Sequence, residues 1–296
     1  MREVPSVPRL SEEQLDDIID RALAEDIGPG DATSEILIPS DFCGQAFLLI
    51  KARGILAGGE IARRVFLRVD LALRVEQHIA DGAMVKPGDK VATVSGRVAS
   101  ILKAERVVLN FLQRLSGIAS ETARYVAKTR GLAVKVTDTR KTTAGLRLLE
   151  KYAVRMGGGH NHRFHLGDGI LIKDNHLAAL RALGCNLKDA ITEATRRAPP
   201  GLLVEVEVAT IEEARVAVEA GADIIMLDNM GLDEMRRAVS LMSPRVRTEA
   251  SGGVTLANIR TVAMTGVDII SVGALTHSTR ALDISLEFEP QMLKFL

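Results

Sequence analysis

Cysteine occurs only twice in this chain of 296 residues, tryptophan is absent, and aromatic residues make up 3% of the whole. The two cysteines, Cys43 and Cys185, lie far apart and without metal-ligand spacing, which argues against a disulfide framework or a zinc module and suits reduced thiols. The chain also lacks a charge imbalance, since Lys and Arg total 38 and Asp and Glu total 38. Its overall field therefore gives no reason to expect a nucleic acid or an anionic membrane as partner, and any anion site must be local. No apolar run approaches the roughly 18 residues of a membrane span. Met1–Leu10 carries no signal-peptide core, so the expected location is the cytoplasm.

What is present is a 47% hydrophobic fraction dominated by Val, Ile, Leu and Ala, which suits an α/β protein with an ample core. Ser11 followed by Gln14 predicts a capped helix in which Leu15, Ile18, Ile19, Ala22 and Leu23 recur at helical spacing. From Gln45 to Gly96 short alternating segments and glycine turns predict a mostly antiparallel sheet. Ile101–Arg114 reads as a helix interrupted at Ser116-Gly117, with a second helix from Ala119 to Thr129 and a domain boundary near Ser116. Six apolar runs follow, each ending in or followed by a polar or glycine residue: Val134–Asp138, Ile170–Ile172, Leu203–Glu207, Ile224–Leu227, Val246–Ala250 and Ile269–Val272. Helical stretches separate most of them, which predicts βα units in a parallel sheet. Six is fewer than the eight strands of a standard closed barrel, so either strands are hidden in irregular sequence or the barrel is incomplete.

In such a sheet the strand ends converge on one face, and that is where the chemistry-bearing residues fall. Arg140, Lys141 and Lys173 follow strands and point to the barrel mouth, whereas Arg147, Lys151 and Arg155, four residues apart, read as a solvated helix face. Gly157-Gly158-Gly159 permits close backbone approach to a ligand, and Arg163 can grip a carboxylate or phosphate with two hydrogen bonds. A His160-x-His162 pair alone would suit a metal, but the neighbouring Arg163 and Lys173 repel cations and favour an anionic organic ligand. His165 has no evident role. Glu205 and Glu207 share a strand face and Asp228 ends the next strand, so carboxylates gather where cations, hydroxyls or a metal must meet them. Magnesium takes one or two carboxylates and completes its shell with water and substrate oxygens; Glu207 and Asp228 are the better candidates, and Glu205 is expected to pair with a core lysine or arginine. Ser251-Gly252-Gly253 and Val272-Gly273-Ala274, in consecutive units, stand where barrels commonly bind phosphate. The inventory fits a phosphosugar together with an aromatic or small polycarboxylate.

The same residues carry a resemblance. Glu25–Asp31, Glu105-Arg106 with Asn110–Ala119, Asp138-Thr139-Arg140-Lys141-Thr142, Lys151–Arg155, Gly157-Gly158-Gly159 with Asn161-His162-Arg163, Lys173-Asp174-Asn175-His176, Glu205-Val206-Glu207-Val208, Leu227-Asp228-Asn229, Ser251-Gly252-Gly253 and Val272–His277 resemble the quinolinate phosphoribosyltransferase family over nearly the whole length. Ala144 stands where that family often has proline and His165 where it often has glycine, both outside the catalytic positions. The resemblance implies an α/β fold: an N-terminal α/β sandwich-like domain over residues 1–115, joined by a C-terminal segment 281–296, and an incomplete, about seven-stranded α/β barrel over 116–280. It implies transfer of phosphoribose from phosphoribosyl pyrophosphate to quinolinate with loss of CO2, in NAD biosynthesis, with Mg2+. Lys141, Lys173, Glu207 and Asp228 would be the catalytic group, Lys141 meeting the pyrophosphate and Glu207 and Asp228 the ribose hydroxyls and magnesium. Arg140, His162, Arg163 and Lys173 would hold quinolinate, and Ser251, Gly252, Gly253, Gly273 and His277 the 5′-phosphate. The family's homodimer, which can assemble further into hexamers, builds each site from two chains, with Arg106 reaching the partner's barrel mouth. The alternatives are a related transferase with nicotinate or a molybdenum-linked acceptor, and a non-catalytic phosphosugar-binding barrel. Arg106, Arg140 and Arg163 suit a dianion better than a monoanion.

Overall fold

A computed structural model describes residues 11–295, so the expectation for Met1–Leu10 lies outside the described residues. The chain divides into two units. One contains 11–123, 143–158 and 278–295; the other contains Arg124–Thr142 and Gly159–His277. The division falls inside one helix, Val98–Lys128.

The first unit is built on an antiparallel sheet in which Phe42–Ile50 lies between Ile284–Phe288 and Lys90–Arg97, with Arg74–Gln77 on the far side of the latter. Ala46, Leu48 and Ile50 alternate into its core, as a half-buried strand requires. Glu12–Ile27 is the predicted first helix, with the Ser11 hydroxyl accepting from the Gln14 N–H at 3.2 Å and Leu15, Ile18, Ile19 and Leu23 buried. Its neighbour, Gly59–Val69, falls where only strands and turns are predicted. The cap of this helix comes from a distant residue: Asp81 accepts from the Gly58 and Gly59 N–H groups at 2.8 and 3.0 Å. The break predicted at Ser116-Gly117 does not occur. The helix runs through it because Gly117 lies against the Arg280 carbonyl, 2.2 Å from where a Cβ would stand, and the Ser116 hydroxyl bonds Ala57 N–H at 3.0 Å. That glycine serves close packing rather than a turn.

The second unit is a six-stranded parallel sheet in the order Lys135–Thr137, Ile269–Ser271, Arg247–Ser251, Ile224–Asp228, Val204–Val208, Ile170–Ile172. These are the six runs predicted from the sequence, each with ends within a residue or so. A seventh position beside Lys135–Thr137 is held only by the bridge Thr137–His160, with His160 N–H donating to Val136 O at 2.8 Å. Val204, Val206 and Val208 are buried, and the helices Leu187–Arg197 and Ile211–Glu219 pack on this strand. Glu205 and Glu207 alternate to the opposite face, in register with Ile224 and Met226.

Candidate active site

The strand ends of the second unit carry the predicted cations at the C-terminal end of the sheet. Arg140 follows Lys135–Thr137, Lys173 follows Ile170–Ile172 and caps the helix Asp174–Arg181, and Arg163 lies beyond the His160 bridge. Burial, and then the neighbouring Arg140 guanidinium, push the Arg163 pKa below its ordinary value. One Arg163 nitrogen donates to Gly169 O at 2.8 Å, while Nε of Arg140 is buried with no hydrogen-bond partner among the described residues. Two guanidiniums close enough for one to disfavour the charge of the other, one of them with a buried donor unmet among the described residues, leave a place for an anion.

Carboxylates stand next to them. Lys173 Nζ donates to Glu207 Oε1 at 2.9 Å across neighbouring strands. Asp228, at the end of Ile224–Asp228, accepts from Asn229 Nδ2 at 3.0 Å. Among the described residues no hydrogen bond takes Oε2 of Glu207 or Oδ1 of Asp228, so each carboxylate keeps an oxygen for a hydroxyl or a hard cation. A magnesium ion fits that donor set, because it needs one or two carboxylates and takes its other ligands from water and substrate.

The glycine loops form the third part. Asn229 sits at φ +53°, its N–H donating to Ser251 O at 2.9 Å, and a Cβ on Gly252 would stand 2.2 Å from Asn229 Oδ1. Gly252 and Gly253 have φ of +88° and +61°, values that favour glycine. On the next strand, a Cβ on Gly273 would meet His277 Nε2 at 3.1 Å and Lys141 Cδ at 3.2 Å. The Thr276 hydroxyl, not singled out in the sequence, donates to Lys141 O at 2.7 Å and so ties these loops together.

Below the cations lies a group that the sequence reading only half anticipates. His162 Nε2 is 3.3 Å from Glu205 Oε2 and 3.6 Å from Glu249 Oε2. Glu205 therefore pairs with a histidine and a second acid, not with the expected lysine or arginine. Burial, then the adjacent Glu249, raise the Glu205 pKa. Glu249 was missed, although it lies two residues before Ser251 on the same strand and so on the same face. Backbone N–H of His162 donates to buried Asp138 Oδ1 at 2.9 Å, and His162 Nδ1 accepts the Arg163 backbone N–H at 2.9 Å. Burial disfavours a second ring proton and the two carboxylates favour it, pushing the pKa up; the Arg163 bond needs a lone pair on Nδ1 and opposes it. The direct bond decides, and the ring carries its proton on Nε2, facing the acids.

Three expectations change. Lys151 is fully buried, not on a solvated face, because Arg147–Met156 also buries Leu149, Glu150, Ala153 and Val154. Gly157 approaches the Val98–Lys128 helix rather than a ligand: its Cβ would stand 2.3 Å from Ala119 O. His165, in contrast, gains a local role, its N–H donating to Asp168 Oδ2 at 2.8 Å. Arg106 is exposed on Val98–Lys128, within the first unit, so the second unit does not contain it.

Comparison with known proteins gives two family-model matches: "Quinolinate phosphoribosyl transferase, N-terminal domain" over residues 31–116, and the C-terminal domain of the same family over residues 118–287. A probable nicotinate-nucleotide pyrophosphorylase [carboxylating] of Bacillus subtilis (strain 168) is 44% identical, with 93% of each chain covered. A mitochondrial quinolinate phosphoribosyltransferase [decarboxylating] of Nicotiana glauca is 42% identical over 94% of this chain and 83% of its own. The crystal structure of NadC from Streptococcus pyogenes superimposes with a TM-score of 0.90 at 42% identity, covering 98% of this chain and 99% of that one.

Proposed function

This chain belongs to the quinolinate phosphoribosyl transferase family, and from that premise we infer that it converts quinolinate and phosphoribosyl pyrophosphate to nicotinate mononucleotide, CO2 and pyrophosphate in NAD biosynthesis. The observation that carries the reading is a pair of guanidiniums that act on one another, Arg140 with its buried Nε unmet among the described residues and Arg163 with its lowered pKa. Such a pair suits an acceptor with two carboxylates.

In this reading Arg140, Arg163 and Lys173 hold quinolinate with its ring nitrogen towards the ribose. The nitrogen lone pair forms the bond to the ribose C1 as the C1–O bond to pyrophosphate breaks. Positive charge develops on the ribose, and Glu207 and Asp228 stabilise it from fixed positions. Lys141 receives the departing pyrophosphate charge, and Ser251, Gly252, Gly253, Gly273 and His277 hold the 5′-phosphate. Mg2+, bound through Glu207 and Asp228, would supply Lewis-acid stabilisation of the phosphate oxygens. The attacking nitrogen has no proton to lose, so no general base is assigned. Once ribosylated, the ring nitrogen is cationic, the adjacent C–CO2 bond breaks, its electron pair stays on the ring carbon, and a proton from solvent completes the nicotinate.

No described helix is long and apolar enough to cross a membrane, and cytoplasmic residence is part of the same proposal. In the same proposal the protein is a homodimer in which Arg106 reaches the partner's site and adds a further cation for a dianionic acceptor. The test is an end-point assay with magnesium, phosphoribosyl pyrophosphate and either quinolinate or nicotinate, following mononucleotide and CO2. Equal yields of both products from quinolinate, and none from nicotinate, are expected. Mononucleotide from nicotinate alone would move the assignment to the related transferase, and absence of product from either acid would overturn it.

A further inference from the structure

Glu249 is a buried acid without a visible reward. It is fully buried, and neither carboxylate oxygen has a hydrogen-bond partner among the described residues. Its register partners on the two flanking strands, Met226 and Ile269, are apolar and offer it no hydrogen bond. A carboxylate kept in such a place costs stability, which points to a use. One carboxylate oxygen lies 3.6 Å from His162 Nε2, with Glu205 approaching the same nitrogen at 3.3 Å. The opposite ring nitrogen accepts the Arg163 backbone N–H.

We propose that Glu249, together with Glu205, is a positioning residue for the acceptor: the two carboxylates hold the His162 proton at Nε2, which leaves Nδ1 free to anchor the Arg163 backbone and so to aim its guanidinium. The inference rests on the reading of Arg163 as a quinolinate ligand. It differs from a plain charge effect in sign. Removing a buried negative charge beside His162 and Glu205 makes the surroundings of Arg163 no less cationic, which by itself leaves binding of a dianion unchanged or tighter; losing the anchor loosens it.

The experiment is equilibrium binding of quinolinate and of phosphoribosyl pyrophosphate, separately, to the full-length wild type, Glu249→Gln and Glu249→Met, with thermal melting of each. Quinolinate Kd is expected to rise about tenfold or more, the scale of a lost hydrogen bond to a charged group. The phosphoribosyl pyrophosphate Kd should stay unchanged and Tm should hold or rise, since an unpartnered acid has gone. Unchanged or tighter quinolinate binding overturns the proposal, and so does a parallel loss of both affinities with a lowered Tm, the mark of a structural residue. A stoichiometric divalent ion in the wild type that the variants lose would also overturn it, because the ligand atoms of His162, Glu205 and Glu249 lie within 4.8 Å of one another and would then be a metal site. Failure of the wild type itself to bind quinolinate would sink the functional reading instead, a result the three-protein comparison keeps separate.

Discussion

Arg140 and Gly252 show how much of the proposed chemistry depends on single side chains, or on their absence. A lysine at 140 keeps the charge but loses the two-pronged geometry and the buried Nε donor that no group among the described residues satisfies. Arg140→Lys is therefore expected to raise the quinolinate KM by roughly 10- to 100-fold, the equivalent of about 1.5–3 kcal/mol, with the phosphoribosyl pyrophosphate KM little changed. An equal rise in both constants in steady-state kinetics would contradict that division of labour. At Gly252 the constraint is steric: φ is +88° and a Cβ would stand 2.2 Å from Asn229 Oδ1. Gly252→Ala should cost about 1–2 kcal/mol in backbone strain and displace Asn229, whose side chain donates to Asp228. Urea denaturation gives the first quantity and the phosphoribosyl pyrophosphate KM the second. A variant with wild-type values of both would mean that the loop does not hold the sugar phosphate.

Elements were legible in proportion to how locally their causes are written. Parallel strands buried on both faces read as apolar runs, so all six strands of the second unit are visible in the sequence. The helix Gly59–Val69 is not, because its N-terminal N–H groups are met by Asp81, 22 residues from Gly59. The same holds for the uninterrupted Val98–Lys128, where Gly117 answers to the Arg280 carbonyl rather than to its own neighbours. In the site, Arg140, Lys141, Lys173, Glu207 and Asp228 announce themselves by ending strands, whereas Glu249 acts only through cross-strand register and contact with His162. Asp70 is another long-range device: capping Gly59–Val69 from its C-terminal side, it accepts from Arg97 Nε at 2.9 Å and Ser100 Oγ at 2.7 Å. The Arg97 bond, against burial and with help from Ser100, holds its pKa at about 2 against an ordinary 3.8. A carboxylate depressed in the folded state stabilises fully above its unfolded pKa and ceases to do so as pH falls through its folded one. With the Arg97 side chain 51% exposed, solvent screening reduces this contribution to about 1 kcal/mol. Asp70→Asn should thus lower stability by that amount at pH 7, and the gap to wild type should close between pH 4 and pH 2 in a denaturation series. A gap independent of pH would assign the loss to shape rather than charge.

At the scale of the whole molecule, the second unit gathers every proposed site residue except Arg106. Arg106 is exposed on a helix of the first unit whose next residues, Val107 and Val108, are buried. If a symmetric dimer supplies it to the other chain's barrel, inactivating lesions on the two sides of the site become complementary. Arg106→Ala and Lys141→Ala should each lose activity as pure proteins while melting like the wild type. Mixed under conditions that allow subunit exchange, they form heterodimers in which one site inherits Arg106 from one chain and Lys141 from the other. Random exchange then restores about a quarter of the wild-type rate, since half of the dimers are mixed and each has one intact site of two. The recovered rate should follow the time course of exchange, and a third protein carrying both substitutions should rescue neither parent. Demonstrated exchange with no recovered activity would mean that Arg106 and Lys141 serve the same chain, and the shared-site reading would fall while the transferase assignment stood.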